Sequence, residues 1–307
     1  MRRKKLLITE IENFDKITLS KLNKKFQVIF GVNSRKDFIQ KLKEAEYLHV
    51  RLKYFLDEKL LCNSKNLKMI LSPTTGLNHI DCNYLKRKKI ELVSLRDYKN
   101  KIKDISATAE FTMGLILNLT RNIAQAKKYV ESYKWDRTLF LGNDLSGKKL
   151  GIIGYGRIGK MLSKIAKAFK MEVLYYDIIK SRRNTSIKNL CKSSDIISLH
   201  INYNKKNHNF FDQKFLSLMK KTSLLINTSR GEVLNQNHLL NFLQKKKIKG
   251  AAMDVLDNEH LFLTKLHKKL ISYAKNNQDL FITPHIGGYT EESLQKAENI
   301  VLSRLLK

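Results

Sequence analysis

Proline occurs twice in 307 residues, cysteine three times and tryptophan once, and 28 acidic side chains face 59 lysines and arginines. Each shortage excludes something. Cys62, Cys82 and Cys191 are too few, too far apart and odd in number for a disulfide framework, which suits a reducing compartment where they pack as small apolar groups. No His/Cys/carboxylate cluster has zinc spacing, so no metal is expected. No stretch approaches the roughly 20 apolar residues that a membrane helix requires. The basic opening MRRKKLLITE starts like a secretion signal, but its apolar run ends at Ile8, too short for the core of one. The expectation is a cytoplasmic protein with no membrane partner.

The acidic deficit leaves a formal charge of +31, which attracts polyanions. The basic runs Arg2 to Lys5, Lys86 to Lys89 and Lys245 to Lys247 fall at termini or predicted helix ends, however, and none is interleaved with aromatics as a nucleic-acid stripe would be. An AT-rich genome gives the same surplus of Lys, Asn and Ile and the same poverty in Gly and Pro. Nucleic-acid binding is therefore not expected to be the main role. With 42% hydrophobic residues the chain can bury an ordinary core, and its length suits two domains.

From Lys148 onward, apolar runs alternate with stretches of helical period. KKLGIIG, MEVLYYD, DIISLH, SLLINTS, AAMDVL and LFIT read as buried strands; RIGKMLSKIAKAFK, DQKFLSLMK and NQNHLLNFLQKKK read as helices. Such alternation predicts a parallel sheet covered on both faces. KKLLIT, FQVIFG, YLHVRL, LKMILS and IELVSL repeat the theme more weakly toward the N-terminus. Between the two, the stretch from Asp104 to Tyr133 is predicted to be one long helix capped by Asp104 or Ser106, with Glu110 in its first turn. The fold class is thus α/β, with two Rossmann-like or flavodoxin-like doubly wound parallel-sheet domains.

GIIGYGRIGK holds Gly154, Gly156 and Gly159 in G-x-G-x-x-G spacing, after a predicted strand and at the start of a predicted helix. The next strand ends in Asp177. In that context the pattern predicts a dinucleotide-binding turn. Gly154 permits the bend, Gly156 lets backbone approach a pyrophosphate, and Gly159 lets helix and strand pack closely. Tyr155, Arg157 and Ile158 complete the turn, whose helix N-terminus offers N–H groups to the diphosphate. Asp177 would accept from the ribose hydroxyls and repel a 2′-phosphate, favouring NAD over NADP, although Arg182 and Arg183 keep NADP open.

Further on, Arg230 in LLINTSRGEVL, Glu259 in GAAMDVLDNE and His285 in FITPHIGG each follow a predicted strand, where side chains of a parallel sheet reach the ligand crevice. Hydride transfer between a nicotinamide and a carbonyl needs a proton donor facing the carbonyl oxygen. Histidine does this near neutrality, a carboxylate beside it favours the charged form, and arginine offers a rigid fork for an anionic group. Pro284 forces the strand to stop where His285 begins, and Gly287 and Gly288 are expected to allow the abrupt turn that follows.

These motifs, with TTGLNHID, AEFTMGLIL, SDIISLH and TPHIGGYTEES in the same order, resemble the D-isomer-specific 2-hydroxyacid dehydrogenases over nearly the whole chain. The resemblance implies an NAD-dependent oxidoreductase acting on a CH–OH group, with Arg230, Glu259 and His285 catalytic and His285 as general acid and base. It also implies cofactor contacts at His200, Thr228, Asp254 and Gly287. Substrate contacts are implied at Arg51, Leu52, Thr75 and Gly76, as well as Arg230 and His285. A discontinuous substrate domain (1–100 with 288–307), an NAD-binding domain (101–287), an active site in the cleft between them and a homodimer through the NAD-binding domains are further expectations. So is the absence of a C-terminal regulatory domain.

The chain departs from the family pattern at His200-Ile201-Asn202, where His-x-Pro is usual, and at Glu259-His260, where Glu-Pro is common. The segment 261–280 looks longer than usual. The other histidines (His49, His208, His238, His260 and His267) read as surface or satisfied polar groups; His79 in TTGLNHID could face substrate, while its loop offers backbone N–H groups around Thr75 and Gly76. Two alternatives remain open: a formate- or phosphite-type dehydrogenase of the same superfamily, and a non-catalytic NAD-sensing protein or co-repressor. The particular acid is not specified by the sequence.

Overall fold

The computed structural model describes residues 2–179, 184–261 and 263–306. The chain divides into one unit of residues 1–105 and 289–307 and another of residues 106–288, each boundary a little later than the sequence suggested.

The first unit is a five-stranded parallel sheet of β1 (Lys4–Ile8), β2 (Phe26–Phe30), β3 (Tyr47–His49), β4 (Met69–Ser72) and β5 (Glu91–Ser94), in the order β2-β1-β3-β4-β5. This is the flavodoxin-like order. Alternate side chains feed opposite faces: Leu7 joins one buried cluster while Leu6 and Ile8 join the other. The second cluster is closed by the last helix, Glu291–Leu306, through Ala297, Val301, Leu302 and Leu305. Thr290 caps that helix by accepting from the Ser293 N–H at 3.3 Å, ahead of an acidic first turn of Glu291 and Glu292.

The second unit carries β6 (Lys149–Ile153), β7 (Glu172–Tyr176), β8 (Ile196–Leu199), β9 (Leu224–Asn227), β10 (Gly250–Met253) and β11 (Leu280–Ile282), all parallel in the order β11-β10-β9-β8-β6-β7. Beyond β7, an isolated bridge between Tyr175 and Asn184 prolongs the sheet by one residue pair. Every residue of β8, β9 and β10 is buried, as expected of strands covered on both faces. Ile153, Ile197 and Leu225 pack to one side; Ile152, Ile196 and Ile226 pack to the other.

Three local expectations are corrected. The long helix is two, Ala107–Arg121 and Ile123–Glu131, because Asn122 adopts a left-handed conformation (φ 56°) that breaks the i→i−4 ladder. Ser106 precedes the first helix, but its hydroxyl donates to Glu110 instead of capping the backbone. The helix expected over DQKFLSLMK is one turn, Gln213–Leu216, and segment 261–280 holds a helix at Lys265–Asn276 that had not been anticipated.

Candidate active site

In the second unit the strand order reverses between β6 and β8, so the loops after these two strands splay apart and open a crevice at their C-terminal ends. The glycine turn lies there, and each glycine is required for a different reason. Gly154 has φ +96°, and a Cβ on it would fall 2.5 Å from the His200 carbonyl oxygen. Gly156 has nothing within 4 Å of a Cβ position, so the face that would meet a diphosphate is open. A Cβ on Gly159 would lie 2.3 Å from the Gly154 oxygen. The helix Arg157–Ala168 starts at Gly156 with no side-chain cap, leaving its first N–H groups for a ligand. At the end of β7, Asp177 accepts from the Tyr155 N–H at 2.6 Å, bringing the acidic residue against the turn. The Tyr155 ring stacks on Tyr175 at 3.7 Å, filling the space under the turn. Open backbone, helix end and carboxylate together fit a dinucleotide. Arg157 is largely buried, and burial lowers its pKa from the ordinary arginine value. Arg182 and Arg183 lie outside the described residues.

His200 directly follows β8, where it is part-buried and its Nε2 lies 2.8 Å from the Ser198 hydroxyl. Burial pushes its pKa down to about 4, which keeps the ring neutral. Thr228 follows β9 and is hydrogen-bonded to Thr112 at 2.8 Å.

Arg230, Glu259 and His285 all belong to the second unit, and the fold brings their loops together. His285 Nδ1 lies 2.5 Å from Glu259 Oε1. Burial alone would raise the Glu259 pKa; the His285 hydrogen bond and charge, with the Arg230 guanidinium, outweigh it and hold the carboxyl below its ordinary value. The glutamate therefore stays ionised and Arg230 lies within its electrostatic reach. Gly231 makes this possible: a Cβ there would fall 2.0 Å from the Leu256 carbonyl carbon, so only glycine lets the Arg230 loop rest on the backbone leading to Glu259. Asn227 steadies the same loop, donating to the Arg230 carbonyl at 2.9 Å and accepting from the Ser229 N–H at 3.1 Å. Neither Gly231 nor Asn227 stood out in the sequence, where only Thr228 and Arg230 of this loop drew a role.

The turn after β11 differs from its expected form. Gly287 and Gly288 do not supply the left-handed residue; His285 itself does, with φ 55°. Gly287 is needed instead for close approach, since a Cβ on it would lie 2.8 Å from Asp254 Oδ2.

The proposed substrate residues of the first unit are placed as follows. Arg51 is buried, and its guanidinium pairs with the fully buried Glu298 and donates to the Glu12 carbonyl at 2.8 Å. That cation is engaged inside its own unit. Leu52 is 36% exposed beside it. The Thr75 carbonyl accepts from Arg96 Nε at 2.6 Å, and Gly76 is buried, its carbonyl accepting from the Thr74 hydroxyl at 2.8 Å. His79 lies 3.4 Å from the Ser72 hydroxyl. His49 is neither exposed nor satisfied: it is wholly buried and no hydrogen-bond partner is present for either ring nitrogen among the described residues. His238 Nδ1 accepts from the Gln213 N–H at 3.1 Å, and His267 Nε2 lies 2.7 Å from the Asp257 carbonyl. Among the described residues no group of three or more His, Cys, Asp or Glu could hold a metal, and no helix is long and apolar enough to cross a membrane.

A glycine-turned dinucleotide crevice with an arginine, a carboxylate and an imidazole beside the same sheet defines a nicotinamide-dependent oxidoreductase. The comparisons narrow the class. Residues 113–287 match the family model described as D-isomer specific 2-hydroxyacid dehydrogenase, NAD binding domain. The chain is 32% identical over 317 residues to a D-3-phosphoglycerate dehydrogenase of Methanocaldococcus jannaschii, covering 99% of this chain and 57% of that one, so it spans little more than half of that relative. It is 32% identical over 283 residues to a glyoxylate reductase of Thermococcus litoralis, covering 87% of this chain and 82% of the relative. The crystal structure of a D-lactate dehydrogenase from Aquifex aeolicus complexed with NAD and lactic acid superposes with a TM-score of 0.83 at 28% identity, covering 98% of this chain and 94% of that one. The chain belongs to the D-isomer-specific 2-hydroxyacid dehydrogenase family, NAD-dependent enzymes that act on a CH–OH group, and its second unit is the NAD-binding domain.

Proposed function

We propose that the protein interconverts a small 2-oxo acid and its D-2-hydroxy acid with NAD, using Arg230, Glu259 and His285. NAD, when bound along Gly154–Gly159 and Asp177, supplies or accepts the hydride. Because Nδ1 of His285 is turned to Glu259, the proton for the substrate oxygen is exchanged at Nε2. Glu259, ionised, fixes the ring and stabilises its charged form until that proton is given up. Arg230 offers a planar fork for the substrate carboxylate. In the oxidative direction His285 takes the proton back.

The observation that carries this reading is the 2.5 Å contact between His285 and Glu259, with Arg230 close enough to act on the same carboxylate. Oxidation of NADH, followed by absorbance over a panel of small 2-oxo acids, tests it. Wild-type turnover of at least one acid is expected, and Arg230→Ala should lower kcat/KM by about 10²- to 10³-fold, the scale of a lost charge-assisted fork. No turnover above that variant on any acid overturns the reading.

A homodimer through the second unit is part of the proposal. Ala107–Arg121 is core, with Ala109, Met113 and Ile116 buried inside the unit. The apolar surface lies just after it: Ile123–Glu131 buries no residue, and Tyr133, Trp135 and Leu141 are at least 90% exposed.

A further inference from the structure

The segment 261–280 holds the helix Lys265–Asn276, and the first turn of that helix carries a histidine that the mechanism above does not use. His267 is 1% exposed, and its Nε2 lies 2.7 Å from the Asp257 carbonyl, 10 residues back along the chain. A carbonyl oxygen can only accept, so Nε2 must carry the proton. The backbone that bears the ring is fixed as well. The His267 N–H donates to the Thr264 hydroxyl at 3.2 Å, and Leu270, further along the same helix, is buried in the core of the unit.

The carbonyl that His267 meets belongs to the peptide joining Asp257 to Asn258, directly before Glu259. Asn258 holds a left-handed backbone with φ 52°. Asparagine tolerates that conformation better than most residues, but it persists only where the surroundings hold it. The peptide before Asn258 sets the direction in which the chain leaves for Glu259. Burial raises the Glu259 pKa, and the Leu256 backbone N–H joins His285 and Arg230 in bringing it down, so this backbone also acts on the carboxylate itself. The Arg230 loop rests on the same stretch, since a Cβ on Gly231 would fall 2.0 Å from the Leu256 carbonyl carbon and 2.2 Å from the Asp257 nitrogen. Residues 256–258 therefore seat both Arg230 and Glu259, and His267 holds their middle. An apolar side chain of similar bulk would fill the space of the ring; what the ring N–H adds is a fixed orientation for that peptide.

We infer that His267 is a positioning residue: its Nε2–H holds the Asp257 carbonyl so that the turn through Asn258 presents Glu259 to His285. The inference rests on the proposed roles of Glu259 and His285. Without the ring N–H the Asp257 carbonyl must turn toward another donor. Asn258 then leaves its left-handed conformation, and Glu259 moves away from Nδ1 of His285. Glutamine can stand in for the ring, because its amide N–H reaches where Nε2 does; leucine fills the space and donates nothing.

The test uses the full-length chain in three measurements. NMR of protein carrying isotope-labelled histidine should show a proton on Nε2 of His267, the ring being identified by its loss in His267→Gln. In proton NMR, the short Nδ1–H···Glu259 bond gives a far-downfield resonance, identified by its disappearance in His285→Ala and Glu259→Gln. It should move upfield or disappear in His267→Leu and stay in His267→Gln. In kinetics, His267→Leu should lower kcat/KM by about tenfold, the scale of a displaced catalytic group, while His267→Gln stays within about threefold of the wild type. Glu259→Gln should cost at least about threefold less in the His267→Leu background than in the wild type, because the pair it breaks is already weakened. Should His267→Leu fail to fold, His267→Asn, whose amide reaches only as far as Nδ1, takes its place with the same expectations.

The inference is overturned by a wild type whose His267 carries no proton on Nε2, or one with no Glu259-dependent resonance. It is equally overturned by a resonance unchanged in His267→Leu, by the full Glu259→Gln effect retained in that background, or by a His267→Gln as impaired as His267→Leu, which would make the bulk of the ring and not its N–H the requirement. The resonance does not depend on turnover: a wild type that shows it, and loses it in His267→Leu, but reduces no 2-oxo acid sinks the proposed function and leaves the role of His267 standing.

Discussion

His49, at the end of β3, provides a stability test with a calculable size. The ring is wholly buried, no hydrogen-bond partner is present for either nitrogen among the described residues, and Phe14 meets it edge-on at 5.5 Å. Burial, helped by the nearby Arg51 charge, pushes its pKa from 6.5 down to about 3. The unfolded chain then binds this proton near pH 6.5 while the folded chain refuses it down to about pH 3, so stability is complete above 6.5 and is lost as the pH falls below it. At about pH 5 the cost is close to 1.5 pH units at 1.36 kcal/mol each, or about 2 kcal/mol. His49→Leu, similar in bulk, cannot titrate. Urea unfolding of both proteins by far-UV circular dichroism at about pH 7.5 and pH 5 should show the wild type losing about 2 kcal/mol more than the variant, a gap of about 1 M in midpoint. Groups common to both proteins cancel in that difference. Equal acid losses in the two would refute the neutral buried ring.

Three other outcomes follow from the geometry. Gly231→Ala places a Cβ 2.0 Å from the Leu256 carbonyl carbon, so the Arg230 loop must move; steady-state assays should show kcat/KM lowered at least about 10²-fold with the circular dichroism spectrum intact. Gly159→Ala, with its Cβ 2.3 Å from the Gly154 oxygen, should lower the melting temperature by about 5–10 °C and weaken NADH binding more than about tenfold, read by thermal melts with and without NADH. Trp135, the only tryptophan and 90% exposed, should report dimerisation: diluting the protein should shift its emission to the red, and Trp135→Lys should sediment as a monomer.

What could be read from the sequence was local. The strands were legible because an apolar run covered on both faces looks the same whatever surrounds it, as in IISL and LLIN. The glycine turn was legible because three glycines at two fixed intervals encode three separate backbone needs. The rest depended on partners far along the chain. Nothing near Arg51 announces Glu298, 247 residues away, so the pairing of the two side chains could not be read from the sequence. Gly231 looks ordinary until the backbone at Leu256 is set against it. The sign of φ at His285 is not written in TPHIGG, where two glycines drew the expectation of a bend that the histidine makes itself. Asn122 could have been suspected of breaking a helix, since asparagine tolerates a left-handed backbone, but inside an otherwise continuous pattern nothing marked it.

The ion pair between Arg51 and Glu298 also imposes an order of events on synthesis. Ribosomes add about 5–20 residues per second, so the 247 residues between the partners take about 12–50 s to make, and throughout that time the first unit lacks the helix that covers one face of its sheet. The nucleotide-binding unit, encoded without interruption, emerges and can collapse while its neighbour still waits. Nascent chains stalled before Glu291 should therefore engage chaperones through their earliest residues.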